Sequence, residues 1–286
     1  MTEVTRTYRT RIAVPAQELD AWHRRSGAFQ RLTPSWAGAN VLESQGSVAP
    51  GDWKRLKVNA VGSAGFTWKL IHRQGDSPYG FVDIQESGPF ASWRHAHRFL
   101  PDGEAASILE DEVTYAPPLG NFGALLMEGR LNETLDRLFT FRHQRTEVDL
   151  ERHFTAPIPR PSRIAIAGAS GLVGSRLVPF LQAGGHQAMR LVRREPVSPD
   201  EIYWNPATGE IDAAALEGID AVINLAGVSI AGGRWSAKRK AAIRRSRIGG
   251  TRLLAETLAS LSTKPAVFVS TSAVGYYGNG GDSVLT

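Results

Sequence analysis

Cysteine is absent from the 286 residues, which excludes disulfides, thiolate metal centres and cysteine nucleophiles. No apolar run approaches the ~18–20 residues needed for a membrane-spanning helix. The opening MTEVTRTYRTRIAVPAQ lacks the apolar stretch of a secretory signal. Charge of either sign is limited, with 33 Lys and Arg against 28 Asp and Glu, a net +5. What the chain does have is a 42% hydrophobic share, enough for sizeable cores, and 29 glycines, above the usual ~7%. At about 150 residues per domain the length suggests two domains. These features read as a soluble, cytoplasmic chain.

Basic residues concentrate late, at Arg234, Lys238, Arg239, Lys240, Arg244, Arg245 and Arg247. No groove-reading motif accompanies them, so a solvated helix near a phosphorylated small molecule is favoured over nucleic acid. The sharpest break in composition is His153-Phe-Thr-Ala-Pro-Ile-Pro-Arg-Pro-Ser162. Its prolines favour an extended linker. The expected division is residues 1–152, a linker at 153–162, and residues 163–286.

Before the linker, apolar residues alternate: Val4, Tyr8 and Ile12, then Leu56 and Val58, Trp68 and Leu70, and later Leu109, Val113 and Tyr115. This is the pattern of antiparallel strands with one wet face. A helix is expected after Val14-Pro15, with Leu19 and Trp22 turned inward. Another is expected from about Phe122 to Val148, where Leu131, Leu135 and Leu138 share a face. This order resembles the helix-grip, START-like fold, over roughly residues 3–150. The stretch Ala21 to Trp36 is similar to one in such domains placed ahead of an epimerase-like domain. The resemblance implies an α+β domain with an apolar cavity for a lipid or other apolar ligand. Trp53, Trp68 and Trp93 are candidate cavity or core residues. His95 and His97 share a strand face, but no third metal ligand stands out by spacing; no metal site is expected.

After the linker the period changes. Arg163-Ile-Ala-Ile-Ala-Gly168 is a buried-type apolar run, Ala169-Ser-Gly171-Leu-Val-Gly174 follows, and a helical pattern runs through Leu177 and Leu181. Strand, glycine turn and helix in succession suit a pyrophosphate, which accepts from backbone N–H groups at the helix N-terminus. The Gly-x-x-Gly-x-x-Gly spacing resembles that of the extended short-chain dehydrogenase/reductase superfamily. Ala221-Val-Ile-Asn224-Leu-Ala-Gly227 and the strand ending Ser270-Thr-Ser272 follow in that family's order. Asn224 through Trp235, Ser246-Arg-Ile248 and Ser272-Ala-Val-Gly-Tyr-Tyr-Gly278 resemble the bacterial epimerase-like family, of NAD-dependent epimerase/dehydratase type. The expected second domain is α/β, a Rossmann-type parallel sheet.

The resemblance implies that Gly168, Ser170, Gly171, Leu172, Val173 and Gly174 cradle the pyrophosphate. Asn224, Ala226, Gly227 and Ser270 would border the cofactor. Arg193 or Arg194, at the end of the second strand, would accommodate the 2′-phosphate of NADP where an Asp would select NAD. Arg176 is a second candidate for that phosphate. The expected cofactor is NADP, with NAD as the alternative. Ser272 aligns with the superfamily's catalytic hydroxyl and Tyr276 with the tyrosine of the same signature. The superfamily's Tyr-x-x-x-Lys pair would lie beyond Thr286, so the second domain reads as incomplete. The implied function is NADP(H)-dependent oxidoreductase or epimerase chemistry on a small molecule. The alternative is a non-catalytic, dinucleotide-responsive sensor or partner-binding protein linked to cell division.

Overall fold

The computed structural model describes residues 3–59, 65–117, 120–155, 161–271, 278 and 280–282, and the side chains of all of these except 120–128. The chain divides into two compact units, Met1–Pro157 with Gln182–Gly184, and Ile158–Leu181 with Gly185–Thr286.

In the first unit β1 (Val4–Ile12) shows the expected alternation, its even positions covered and its odd ones exposed. Pro15 precedes α1 (Ala16–Arg24), and α2 (Ala28–Leu32) follows. The remaining strands are β2 (Ala39–Gln45), β3 (Trp53–Asn59), β4 (Gly65–Gln74), β5 (Gly80–Ser87), β6 (Ser92–Pro101) and β7 (Ser107–Ala116). They form one antiparallel sheet in the order β1-β7-β6-β5-β4-β3-β2. A 36-residue helix, α3 (Gly120–Thr155), follows the last strand. Strand, short helices, a wide antiparallel sheet and one long helix is the order expected of a helix-grip domain.

The inward sides of α1 and α3 define the core. Leu19 and Trp22 are fully buried with Ile12, Phe99, Leu109 and Leu150, and burying side chains of this size stabilises by about 1.5–3 kcal/mol each. Leu135 and Phe139 of α3 pack with Trp93, Val113 and Tyr115. The long helix runs beyond the expected Val148, taking in His153–Thr155. Among the contacts along that extra length, Leu150 is buried and Asp149 accepts two 2.6 Å hydrogen bonds from Arg31.

The second unit contains the four strands expected from sequence: β8 (Arg163–Ala167), β9 (Gln187–Val192), β12 (Ala221–Asn224) and β13 (Val267–Ser270). Between β9 and β12 lies an unforeseen hairpin, β10 (Glu201–Asn205) and β11 (Glu210–Ile211). The sheet order is β11-β10-β9-β8-β12-β13, parallel except for β11. Helix α4 (Gly174–Ala183) follows β8, and α5 (Ala237–Ser260) precedes β13. Alternate residues of β8 serve opposite cores. Ala165 and Ala167 pack with Leu254 and Leu258 of α5, whereas Ile164 and Ile166 pack with Leu177, Val178 and Leu181 of α4. Cover on both faces explains why β8 reads as a continuous apolar run.

The α5 N-terminus is capped by Ser236, whose hydroxyl accepts from the Arg239 N–H. Ser236→Ala should lower the stability of this unit by about 1 kcal/mol, read as a lower urea midpoint at an unchanged slope. Among the described residues no helix is long and apolar enough to cross a membrane.

Candidate functional site

β8 is flanked by β9 on one side and β12 on the other, so the connection that follows β8 and the one that follows β12 run in opposite directions. In open α/β sheets that switch point creates a crevice. Here the crevice is a cleft of about 930 Å³. Gly168, Ala169, Ser170 and Gly171 line it after β8, and Leu225, Ala226, Gly227 and Val228 after β12. Arg193 and Arg194 border it at the end of β9.

Local structure explains the glycines. Gly168 has φ +79°, and a Cβ there would lie 2.8 Å from the Leu225 carbonyl carbon. At Gly174 a Cβ would overlap the Gly168 carbonyl oxygen and lie 2.7 Å from Ala169 Cα. The turn therefore packs backbone on backbone. Gly171 N–H donates to Gly168 O at 3.0 Å, and α4 begins three residues later, at Gly174. Its first-turn N–H groups lack intrahelical acceptors and carry the positive end of the helix dipole. Leu172 and Val173 are exposed, Leu172 by 90%.

The arginines differ. Arg194 is committed to Glu201 by two hydrogen bonds of 2.6 and 2.8 Å, and these, with the Val197 N–H, lower the Glu201 pKa to about 2. Arg193 is an exposed cleft residue with no ion pair among the described residues. Arg176 is exposed in the first turn of α4, away from the lining. Asn224 is buried and outside the lining. Its amide donates to Thr251 Oγ1 and its carbonyl accepts from the Ala226 N–H, so it shapes the β12 exit loop. Arg247 holds the same loop by donating to Val228 O. Ser270 is exposed at the end of β13, paired in register with Asn224. Ser272 and Tyr276 lie outside the described residues. Sequence reasoning missed Arg190, Glu201, Trp204 and Ser246 as cleft residues; Glu201 and Trp204 stand on the β10 strand of a hairpin that no motif foreshadows.

The first unit has its own cavity, of about 620 Å³. Trp68 and Trp93 line it but Trp53 does not; the Trp53 indole instead donates to Gln45. Leu56, Leu70, Phe90 and Leu135 give it apolar walls, and its polar lining includes Lys54, His72, Asp83, His95, His97 and Arg142. Strand register assembles this group: Asp83 stands opposite both His72 and His95, and His97 opposite Asp111. Asp111 is buried and accepts from His95 Nε2 and His143 Nε2, both at 2.9 Å. His97 Nδ1 lies 2.7 Å from Asp111 Oδ1, off the hydrogen-bond axis, as an ion pair. His72 Nδ1 bonds Asp83 at 2.5 Å.

Burial alone would depress the pKa of His97, but the Asp111 and Asp83 carboxylates outweigh it and raise the value to about 9. Burial and the His97 charge lower His95 to about 4, and burial lowers His23 to about 3. Burial works against ionised Asp111 and Asp83 as well, yet the surrounding histidines hold both below the ordinary carboxylate range.

Residues 164–284 match the NAD dependent epimerase/dehydratase family. An epimerase family protein of Mycobacterium bovis is 48% identical over 122 residues, 43% of this chain and 40% of that protein. One of Homo sapiens is 33% identical over 117 residues, 40% of this chain and 38% of that protein. The chain thus spans about two fifths of the curated relatives it matches. The crystal structure of a nucleoside-diphosphate sugar epimerase from Corynebacterium glutamicum superposes with TM-score 0.73 at 30% identity, covering 98% of this chain and 57% of that one. The second unit is therefore similar in sequence to NAD-dependent epimerases and dehydratases, and the likeness in three dimensions runs through nearly the whole chain.

Proposed function

We propose that the chain is an NADP(H)-binding, epimerase-like protein that acts on a small molecule, with a first unit that takes up an apolar ligand. The observation that carries this reading is the cleft at the switch point of β8 and β12, floored by a glycine turn that opens α4. Backbone from Gly168 to Gly174 would meet the pyrophosphate, because N–H groups at a helix start bind anions. Ala226 and Gly227 would border the cofactor, positioned by Asn224. Arg193 would take the 2′-phosphate, and Arg194, tied to Glu201, would brace the β9 end instead. When bound, the nicotinamide supplies a hydride donor or acceptor. Ser272 and Tyr276 are proposed, on sequence order alone, to hold and move a proton at the reacting oxygen. A soluble, cytoplasmic setting belongs to the same reading. The similarity to a nucleoside-diphosphate sugar epimerase makes nucleotide sugars the first substrates to assay.

A charge-assisted hydrogen bond to phosphate is worth roughly 1.5–3 kcal/mol, about ten- to hundredfold in affinity. Calorimetric titration of NADPH and NADH should show NADPH ahead by that factor in the wild type. Arg193→Ala should lose the advantage while leaving NADH affinity unchanged. NADH binding as tightly as NADPH to the wild type would overturn the assignment.

A further inference from the structure

We propose that Asp83, His95 and His97 form a binding site for a divalent transition-metal ion at the polar end of the first unit's cavity. This goes beyond the dinucleotide chemistry above and belongs to a different unit.

Strand geometry brings the three donors together. His95 and His97 are two apart on β6, and side chains at that spacing project to the same face. Asp83 is the residue of β5 directly opposite His95. Register therefore supplies the third donor that spacing along the sequence did not reveal. One donor atom from each residue lies within 4.8 Å of the other two, and all three side chains line the cavity. The Asp83 Oδ2–His97 Nε2 separation is 3.5 Å. Two donors on a tetrahedral centre with bonds of about 2.0–2.2 Å stand roughly 3.3–3.6 Å apart.

The surroundings orient these donors. His95 Nε2 is held by the Asp111 carboxylate; donating there leaves the Nδ1 lone pair as the one available to an ion. The other oxygen of Asp83 is held by His72 Nδ1. Asp111 also faces His97 Nδ1 and is itself held by His143, whose Nδ1 contacts Thr10. A carboxylate behind the outer nitrogen of a ligating histidine is the usual support of a metal centre. Two imidazoles and one carboxylate suit zinc or another first-row divalent ion. With three protein donors, the remaining positions face the cavity and would take water or an oxygen of a cavity-bound molecule. Lys54 and Arg142 line the same end, so an anionic oxygen donor fits best.

The test uses the full chain, stripped with a chelator and titrated with Zn²⁺ in competition with a chromophoric chelator. The expected result is one ion per chain, with affinity reduced at least a hundredfold in Asp83→Asn and in His97→Gln. Asp111→Asn, which replaces the supporting carboxylate and leaves the three donors in place, should weaken binding by ten- to hundredfold. X-ray absorption on the zinc-loaded wild type should show two imidazole ligands, a readout that does not depend on any variant folding. Absence of saturable binding, one-to-one binding retained in the folded Asp83→Asn, His97→Gln double variant, or a coordination shell without histidine would each overturn the proposal.

Discussion

Asp111→Ala should destabilise the chelator-treated first unit by about 3–5 kcal/mol, the usual cost of removing one partner from a buried charged pair. Three imidazoles converge on this carboxylate, His95 and His143 by hydrogen bonds and His97 by an ion pair, and all are buried. Alanine leaves a void and three polar rings without their shared acceptor. Asp136 is the contrasting case. Its ion pair with Arg6 is half exposed, so Asp136→Ala should cost no more than about 1 kcal/mol. Near-UV circular dichroism during urea unfolding reports on the packed Trp22, Trp68 and Trp93. A loss below about 1 kcal/mol for Asp111→Ala would show that the cluster is not an integral part of the fold.

Gly174→Ala should weaken NADPH binding by two or more powers of ten. The added methyl meets the Gly168 carbonyl and Ala169 Cα, and both are backbone, so the turn itself must move. Moving it withdraws two or more N–H groups from the pyrophosphate, each worth about 1.5–3 kcal/mol to a charged acceptor. Unaltered far-UV circular dichroism would show that the unit still folds. Affinity within threefold of the wild type would place the dinucleotide elsewhere.

The second unit was more legible than the first. A parallel strand covered on both faces announces itself as an apolar run, and the glycines of the turn are required where two backbones touch, so local sequence carries both. The hairpin of β10 and β11 was missed because Glu-Ile-Tyr-Trp-Asn reads equally as loop or short strand without its partner. In the first unit, alternation placed β1, β3, β4 and β7 on the sheet, but alternation is blind to register. His95 and His97 were visible as a same-face pair. Asp83 and Asp111 became their neighbours only through cross-strand pairing, which depends on loop lengths and bulges along the whole sheet. Helix α3 runs past Val148 because Leu150 and Asp149 extend its buried face, beyond the Leu131, Leu135 and Leu138 stripe that marks it in sequence. Arg193 and Arg194 could not be distinguished in sequence. Glu201, seven residues on, holds Arg194 and leaves Arg193 for the cleft.

Hydrogen exchange of the backbone amides, with and without saturating NADPH, tests the central claim most directly. The account predicts slowed exchange at residues 168–176, 190–194 and 225–228, the three segments that meet at the switch point, with the first unit's sheet unchanged. Protection confined to the first unit, or none in the glycine turn, would contradict it.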